Sequence, residues 1–326
     1  MASISKQANG RFRVQIDKAG RRDSKIFDTR HQAMAWAVQR EEELTGKQLP
    51  VRTLDQALAR YAEEVSPGHA GCNWELVRIG AMRRSPLAAR RLADITGADI
   101  ASWRDQRLKQ VAPATVLREM KQLRAVFESA RRDFGWIRAN PMIDVTKPKA
   151  PPSRKRRIAE DEVQRLMLGF GLGETLRGDT DTQRVGLCFL LALETAMRAG
   201  EILGLTWGAV DLESRVADLP RTKNGDVRQV PLSRRAVEIL QAFGPGDSKK
   251  PVVGVLERSR DALFRKIRKR ADLDDLHFHD SRAEAIWRLS KKFDVLQLAR
   301  VIGHRDLKSL MIYYNESAAD LARQMD

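Results

Sequence analysis

Six side chains in the second half of this chain have types that could act together: Arg198, Lys223, His279, Arg282, His304 and Tyr313. A guanidinium carries a permanent charge and a planar fork of donors that matches two oxygens of a phosphate. A lysine ammonium can give a proton to a leaving oxygen, and an imidazole can carry one near neutral pH. A tyrosine hydroxyl can attack phosphorus and form a covalent intermediate. The set therefore describes phosphoryl transfer. Taken singly, each member also has an ordinary explanation. Arg198 has Glu201 three residues on, which could make a structural pair. Lys223 could simply solvate a turn, His279-x-x-Arg282 is a weak pattern, and a late tyrosine usually packs.

The elements around these residues decide how they would be presented. Val185–Leu193 is almost wholly apolar, so it should be a buried helix, and Arg198 follows it. A guanidinium beside a core helix must be paired or must serve an anion. Lys223 precedes Asn224-Gly225, the strongest short hairpin signal. Val216 and Leu219 lie before that turn and Val227 and Val230 after it, which puts Lys223 at the tip of a β-ribbon. Ser281-x-x-Glu284 predicts a capping box and a helix with Ala285, Ile286 and Leu289 on its apolar side. His279 and Arg282 would then sit at a helix N-terminus, where unpaired N–H groups favour a phosphate. Leu307, Leu310, Met311 and Tyr314 follow a helical pattern that buries Tyr314 and leaves Tyr313 off the buried face.

The 326 residues carry 59 Lys+Arg against 43 Asp+Glu, a net charge of +16, so a polyanionic partner is expected. Residues 51–155 hold most of the excess, with 20 basic and 11 acidic side chains, whereas residues 156–326 hold 29 and 26. The only cysteines, Cys72 and Cys188, form neither a metal-ligand spacing nor a disulfide framework, and are read as inert thiols in a reducing compartment. The N-terminus has no apolar signal core, and Val185–Leu193 is too short to span a bilayer. A cytoplasmic protein with no membrane partner is expected.

Toward the N-terminus, Phe12, Val14 and Ile16 alternate with Arg11, Arg13 and Gln15 as in a half-buried strand, and a second strand is expected near Ser24–Phe27. Thr29 and Gln32 form a capping-box signature, followed by a helix with Ala33, Met34, Ala37, Val38 and Leu44 on one side. This gives a β-β-α module over residues 1–50, whose exposed Arg11, Arg13 and Arg21 could contact nucleic acid or only solubilise it. Residues 51–146 read as all-helical. Thr53-x-x-Gln56 caps a helix carrying Leu54, Ala57, Leu58, Tyr61 and Val65, and further helices are expected over 84–94, 98–109 and 114–132. In the last, Val116, Met120, Leu123, Phe127 and Ala130 form the stripe. Lys121, Arg124 and Arg131 lie off it, as phosphate contacts or as a solvated face. Residues 147–157 form a proline-rich linker whose six basic residues, Lys147, Lys149, Arg154, Lys155, Arg156 and Arg157, repel one another. Such a strap could follow a nucleic-acid backbone; a nuclear-import signal is the competing reading of the run. Residues 158–326 form a mostly helical domain with one β-hairpin. The fold class is thus mainly α with small β elements (α+β).

The string Glu194-Thr-Ala-Met-Arg-Ala-Gly-Glu-Ile-Leu-Gly-Leu-Thr-Trp207, then Lys223, His279-Asp-Ser-Arg282, Gly303-His304 and Tyr313 in that order, closely resembles the catalytic domain of the tyrosine recombinases, or phage integrases. The family usually has leucine before the second arginine and often histidine after it; Ser281 and Ala283 stand here instead. The resemblance implies an arm-type DNA-binding module over 1–50, a core-binding domain over 51–146 and a catalytic domain over 158–326. The family's spacing from its histidine to its tyrosine implies Tyr313, nine residues after His304, as nucleophile. Tyr313 would form a 3′-phosphotyrosyl link without metal, nucleotide or other cofactor. Arg198 and Arg282 would bind the non-bridging oxygens, and Lys223 would protonate the leaving 5′-oxygen. His279 and His304 would assist proton transfer, with Glu201 and Asp280 supporting them. The implied partners are double-stranded DNA at specific sites, further copies of the chain in a synaptic tetramer, and DNA-bending accessory proteins. The alternatives are a type IB topoisomerase relaxing DNA as a monomer, and a catalytically silent DNA-binding regulator. The last residues, with Ala318, Leu321, Ala322 and Met325 at helical spacing, would dock either on a neighbouring copy or on their own domain.

Overall fold

The computed structural model describes all residues except 1, 19–20, 46–48, 70, 153, 155, 220–226, 305 and 315–326, together with the side chains of 18, 21, 39 and 41–45. The fold is mainly helical with two small antiparallel sheets, as the sequence predicts. It divides into two compact units, Met1–Ser153 and Arg154–Asp326.

The first unit opens with β1 (Ser3–Lys6), β2 (Phe12–Lys18) and β3 (Arg21–Phe27), with β2 in the centre. β1 was not expected, because one apolar residue in four gives no periodicity. It becomes a strand by pairing Ile4 with Val14, and Ile4 packs on the small core. Helix α1 (Arg30–Thr45) covers one face of the sheet, and the Thr29 hydroxyl accepts from the Gln32 N–H at 3.2 Å. The buried side of α1 differs from the expected one. Ala33 and Ala37 are buried and Trp36 packs beside them, whereas Met34 and Val38 are exposed. Ala33, Trp36, Ala37 and Arg40 follow an i, i+3, i+4, i+7 row, and Arg40 reaches Asp23 on the sheet at 2.6 Å. The Leu44 side chain lies outside the described residues.

A helical bundle follows: α2 (Leu54–Glu64), α3 (Cys72–Arg83), α4 (Gly97–Leu108) and α5 (Pro113–Arg132). Thr53 and Gln56 cap α2 reciprocally, and Leu54, Ala57, Leu58 and Tyr61 are buried. The expected stripe of α5 is buried throughout. The helix expected over 84–94 is instead two 3-10 turns, Pro86–Ala89 and Leu92–Asp94, while α3 ends just before them. Pro86 disfavours the α conformation at Ser85, which is extended at ψ 150°.

The second unit is built on α7 (Asp181–Thr195), the apolar helix expected, which is flanked by α6 (Glu160–Phe170). Then come α8 (Ala199–Leu203), β4 (Val210–Asp211), β5 (Val216–Leu219) and β6 (Arg228–Pro231). The hairpin β5–β6 gains β4 on its outer edge, making three strands rather than two. Helices α9 (Arg234–Gln241), α10 (Glu257–Arg270), α11 (Asp280–Ser290) and α12 (Val295–Ile302) complete the unit. Phe189, Phe264 and Phe278 meet with ring centroids 5.3–5.6 Å apart, which anchors the chain just before His279. Cys188 is fully buried, and burial pushes its thiol up to about 12. A smaller core of Ala196, Ala285, Ile286, Leu298, Ile302 and Leu310 forms the bed on which Tyr313 and Tyr314 rest. No helix among the described residues is long and apolar enough to cross a membrane.

Candidate active site

Helix α7 ends at Ala196, which adopts a left-handed conformation (φ 53°). That geometry costs a non-glycine residue about 1–2 kcal/mol. It turns the chain so that Arg198 starts α8. The Arg198 backbone N–H donates to Glu201 Oε2 at 2.8 Å and its Nη1 donates to Oε1 at 2.7 Å. Glu201 is also bonded by Arg228, which donates Nη2 to Oε2 at 2.8 Å and Nη1 to Oε1 at 3.3 Å. Burial works against the Glu201 charge, but the Arg198 N–H and the two guanidiniums outweigh it and hold the carboxyl below its ordinary value. Arg228 was missed in the sequence. Its signal was there: it shares the inward face of β6 with Val230, and a charge at that register needs a buried partner.

Arg282 lies on the first turn of α11 and is buried. Its Nη1 donates to the Ala196 carbonyl, and its Nη2 donates to Ile302 O at 2.9 Å. One side chain thus ties together the ends of α7 and α12. Burial first, then repulsion from Arg198, pushes its pKa down to about 10. The capping box expected at Ser281 and Glu284 does not form. The Ser281 hydroxyl donates to Phe278 O, and Glu284 accepts from the Ile158 N–H, Arg157 and Arg288. Asp280 accepts from the His277 N–H and from Arg154, both at 2.8 Å.

These contacts correct the reading of the basic linker for three of its residues. Arg154 pairs with Asp280, Arg156 with Glu162 and Asp275, and Arg157 with Glu284, while Arg157 also lies over the Trp287 ring at 3.4 Å. The expected mutual repulsion is cancelled because acidic side chains of α6, α11 and the loop before α11 reach the strap. Lys147 and Lys149 are exposed, and Lys155 lies outside the described residues.

Gly303 closes α12 in the left-handed conformation (φ 66°), and the His304 N–H returns to Ala299 O at 3.0 Å. The His304 Nδ1 lies 3.0 Å from Ser309 Oγ. Desolvation, then the positive field of Arg282, lowers the pKa of both His304 and the more exposed His279, so both favour the neutral imidazole. The tyrosine segment is not an α-helix. Two 3-10 turns, Leu307–Ser309 and Met311–Tyr313, carry it, and Leu307 and Met311 are exposed rather than buried. At three residues per turn, Leu310 and Tyr313 eclipse, and the buried Leu310 anchors the turn that bears Tyr313. The Tyr314 hydroxyl donates to Phe293 O at 2.8 Å. For Tyr313, burial raises the phenol pKa, and the nearby Arg282 charge opposes the rise. Lys223 lies outside the described residues; the β5–β6 pairing is described as far as Leu219 and Arg228.

The structure therefore places Arg198, Arg282, His279, His304 and Tyr313 within one electrostatic neighbourhood, to which Glu201 and Arg228 belong. Two guanidiniums, Arg198 and Arg228, share the buried Glu201 carboxylate, and Arg282 adds a third charge within electrostatic reach, leaving a surplus of positive charge for an anion. The other candidate contacts lie in the first unit. Arg13 is exposed on the sheet face opposite α1, Arg11 pairs with Asp28 at 2.9 Å, and the Arg21 side chain lies outside the described residues. Lys121 and Arg124 are exposed, and Arg131 pairs with Glu128 at 2.6 Å. Exposed pairs of this kind are worth about 0–1 kcal/mol.

Residues 156–320 match the model of the phage integrase family. The chain is 41% identical over 330 residues to a putative integrase/recombinase of Haemophilus influenzae, covering 98% of this chain and 89% of that protein. It is 37% identical over 284 residues to the shufflon-specific DNA recombinase of Escherichia coli, covering 84% and 72%. Among solved structures it resembles the Tn1549 transposon integrase in complex with circular intermediate DNA (TM-score 0.65, 20% identity, 84% of this chain and 99% of that one). It also resembles a lambda integrase tetramer bound to a Holliday junction (TM-score 0.63, 18% identity, 95% and 94%). The two structural likenesses establish the fold, and the family match with the extent of sequence identity shows that this chain belongs to the phage integrase family of tyrosine recombinases.

Proposed function

We propose that this site-specific recombinase cleaves and rejoins duplex DNA through Tyr313. The observation that carries the assignment is that Arg198 and Arg228 share the Glu201 carboxylate while the buried Arg282 lies within electrostatic reach of all three and of the half-buried Tyr313 phenol. Tyr313 Oη attacks the scissile phosphorus and a 3′-phosphotyrosyl bond forms. The bond to the 5′-oxygen breaks, and Lys223 supplies the proton that this oxygen takes up. Arg198 and Arg282 hold the non-bridging oxygens, where negative charge builds in the transition state. A neutral His304 or His279 takes the phenolic proton. The covalent link conserves the energy of the phosphodiester, so the 5′-hydroxyl of a partner strand reverses the step and exchanges strands. A phosphate entering the clamp also supplies a counter-charge to Arg282, which is buried and donates to the Ala196 and Ile302 carbonyls.

On this reading residues 1–50 bind arm sites, residues 51–146 grip the core site and residues 158–326 do the chemistry. Lys147 and Lys149 of the linker are left to meet the DNA backbone. Working on two duplexes requires several copies, as in the tetrameric lambda integrase complex that the fold resembles. A silent regulator is disfavoured because Arg198, His279, Arg282, His304 and Tyr313 are all present.

The test is a nicked suicide substrate that traps the covalent intermediate. Wild-type protein should give a protein–DNA band on a denaturing gel. Tyr313→Phe should shift the same DNA on a native gel and give no covalent band. A normal adduct yield from Tyr313→Phe would reject the assignment and point to Tyr314.

A further inference from the structure

Arg228 approaches this constellation from behind. Its side chain is 6% exposed, too deep to be a primary DNA contact. It shares both oxygens of Glu201 with Arg198, so each oxygen takes one donor from each residue. On another side it fills the space that Gly303 leaves open. A Cβ at Gly303 would lie 2.5 Å from Arg228 Nη1 and 3.0 Å from its Cδ. Its Nε has no hydrogen-bond partner among the described residues. A buried guanidinium left partly unsatisfied costs stability, and an apolar side chain would fill the same space at lower cost. The position is therefore explained better by what Arg228 holds than by packing.

We propose that Arg228 is a positioning residue that sets the phosphate clamp, an inference that rests on the recombinase reading above. By sharing the Glu201 carboxylate, Arg228 limits how far Arg198 is drawn into that pair and leaves the other Arg198 donors for the phosphate. By packing against Gly303 it seats the turn that presents His304. Without it, Glu201 is left to Arg198 alone, draws that guanidinium fully into the ion pair, and lets the His304 turn loosen.

The experiment compares Arg228→Met, Arg228→Lys, Glu201→Gln and the Met/Gln double variant on the suicide substrate. Site affinity is read by gel shift, adduct rate in a single turnover, and fold by thermal melting. Arg228→Met should bind within about two-fold of wild type but form adduct roughly 10- to 100-fold more slowly, less than the ~10²–10³-fold typical of losing a direct oxyanion donor. Arg228→Lys should recover part of the rate. The double variant should be within about three-fold of the slower single variant, because both changes break one unit. A wild-type rate in Arg228→Met, losses that multiply in the double variant, or a rate loss matched by lost affinity would overturn the proposal. If the Met variant does not fold, Arg228→Lys decides: slowed adduct with an unchanged melting transition supports the role, and a full wild-type rate rejects it. Absence of adduct from wild-type protein would overturn the recombinase reading itself, whereas normal adduct from both wild type and Arg228→Met rejects only the role of Arg228.

Discussion

His279 and His304 acquire their suitability as proton acceptors from their surroundings. Desolvation and the charges of Arg282 and Arg198 lower both pKa values, while Asp280 and Asp306 oppose the shift in part. Each ring stays neutral until the pH falls below the ordinary histidine value of about 6.5. Protonation there would add a positive charge beside Arg282 and remove the acceptor. Adduct formation should therefore hold its rate from about pH 7 upward and fall only on the acid side of about 6.5. A single-turnover pH profile on the suicide substrate checks this, and His304→Gln should alter the acid limb. A limb centred above about pH 7 in wild-type protein would contradict the assignment. The residue scale also separates the two adjacent tyrosines: the Tyr314 hydroxyl is committed to a backbone carbonyl, and the Tyr313 phenol faces the field of Arg282.

Among the elements, α11 bears the second clamp arginine, and the strap 154–158 braces its first turns through Asp280 and Glu284. Glu284 is buried. Burial raises its pKa, but Arg157, the Ile158 N–H and Arg288 together hold it below the ordinary carboxylate value. A carboxyl depressed in the folded state contributes stability above its unfolded pKa, about 4.3 for glutamate, and loses it as pH falls through the lower folded value. Glu284→Gln should therefore cost about 1–3 kcal/mol at neutral pH, since it leaves Arg157 without its charged partner. It should also flatten the acid dependence of unfolding. Thermal melts of both proteins from neutral pH downward measure this; equal loss of stability on acidification would show that Glu284 does not carry it.

Across the whole molecule, charge and core are distributed separately. Residues 51–155 hold a large basic excess, yet the bundle there has its own core running from Leu54 to Met142. The N-terminal sheet and α1 have a separate small core around Val14, Ile16, Ala33 and Ala37. Removing residues 1–50 should therefore leave the bundle folded. The truncated protein is expected to cleave a core site in the suicide assay while losing protection of distant arm sites. Footprinting on DNA that carries both decides the matter, and an unchanged footprint would reject the arm-binding role of the sheet.

Local signals in the sequence determined much of this architecture. The Thr53–Gln56 cap, the apolar run of α7 and the stripe of α5 rest on capping and periodicity, which involve only near neighbours along the chain. Arg198, Arg282, His304 and Tyr313 are marked in the sequence by their resemblance to the recombinase pattern rather than by any local signal. What the tertiary structure decided depends on partners distant in sequence. Glu284 could cap its own helix, but Ile158, 126 residues away, and Arg157 take its carboxylate instead. β1 exists only because Val14 is beside Ile4. Arg228 reads as an ordinary strand arginine until Glu201 and the space at Gly303 are seen around it. Local propensity specifies an element through its own backbone, whereas a buried charge is specified by whichever opposite charge the fold brings within hydrogen-bond reach.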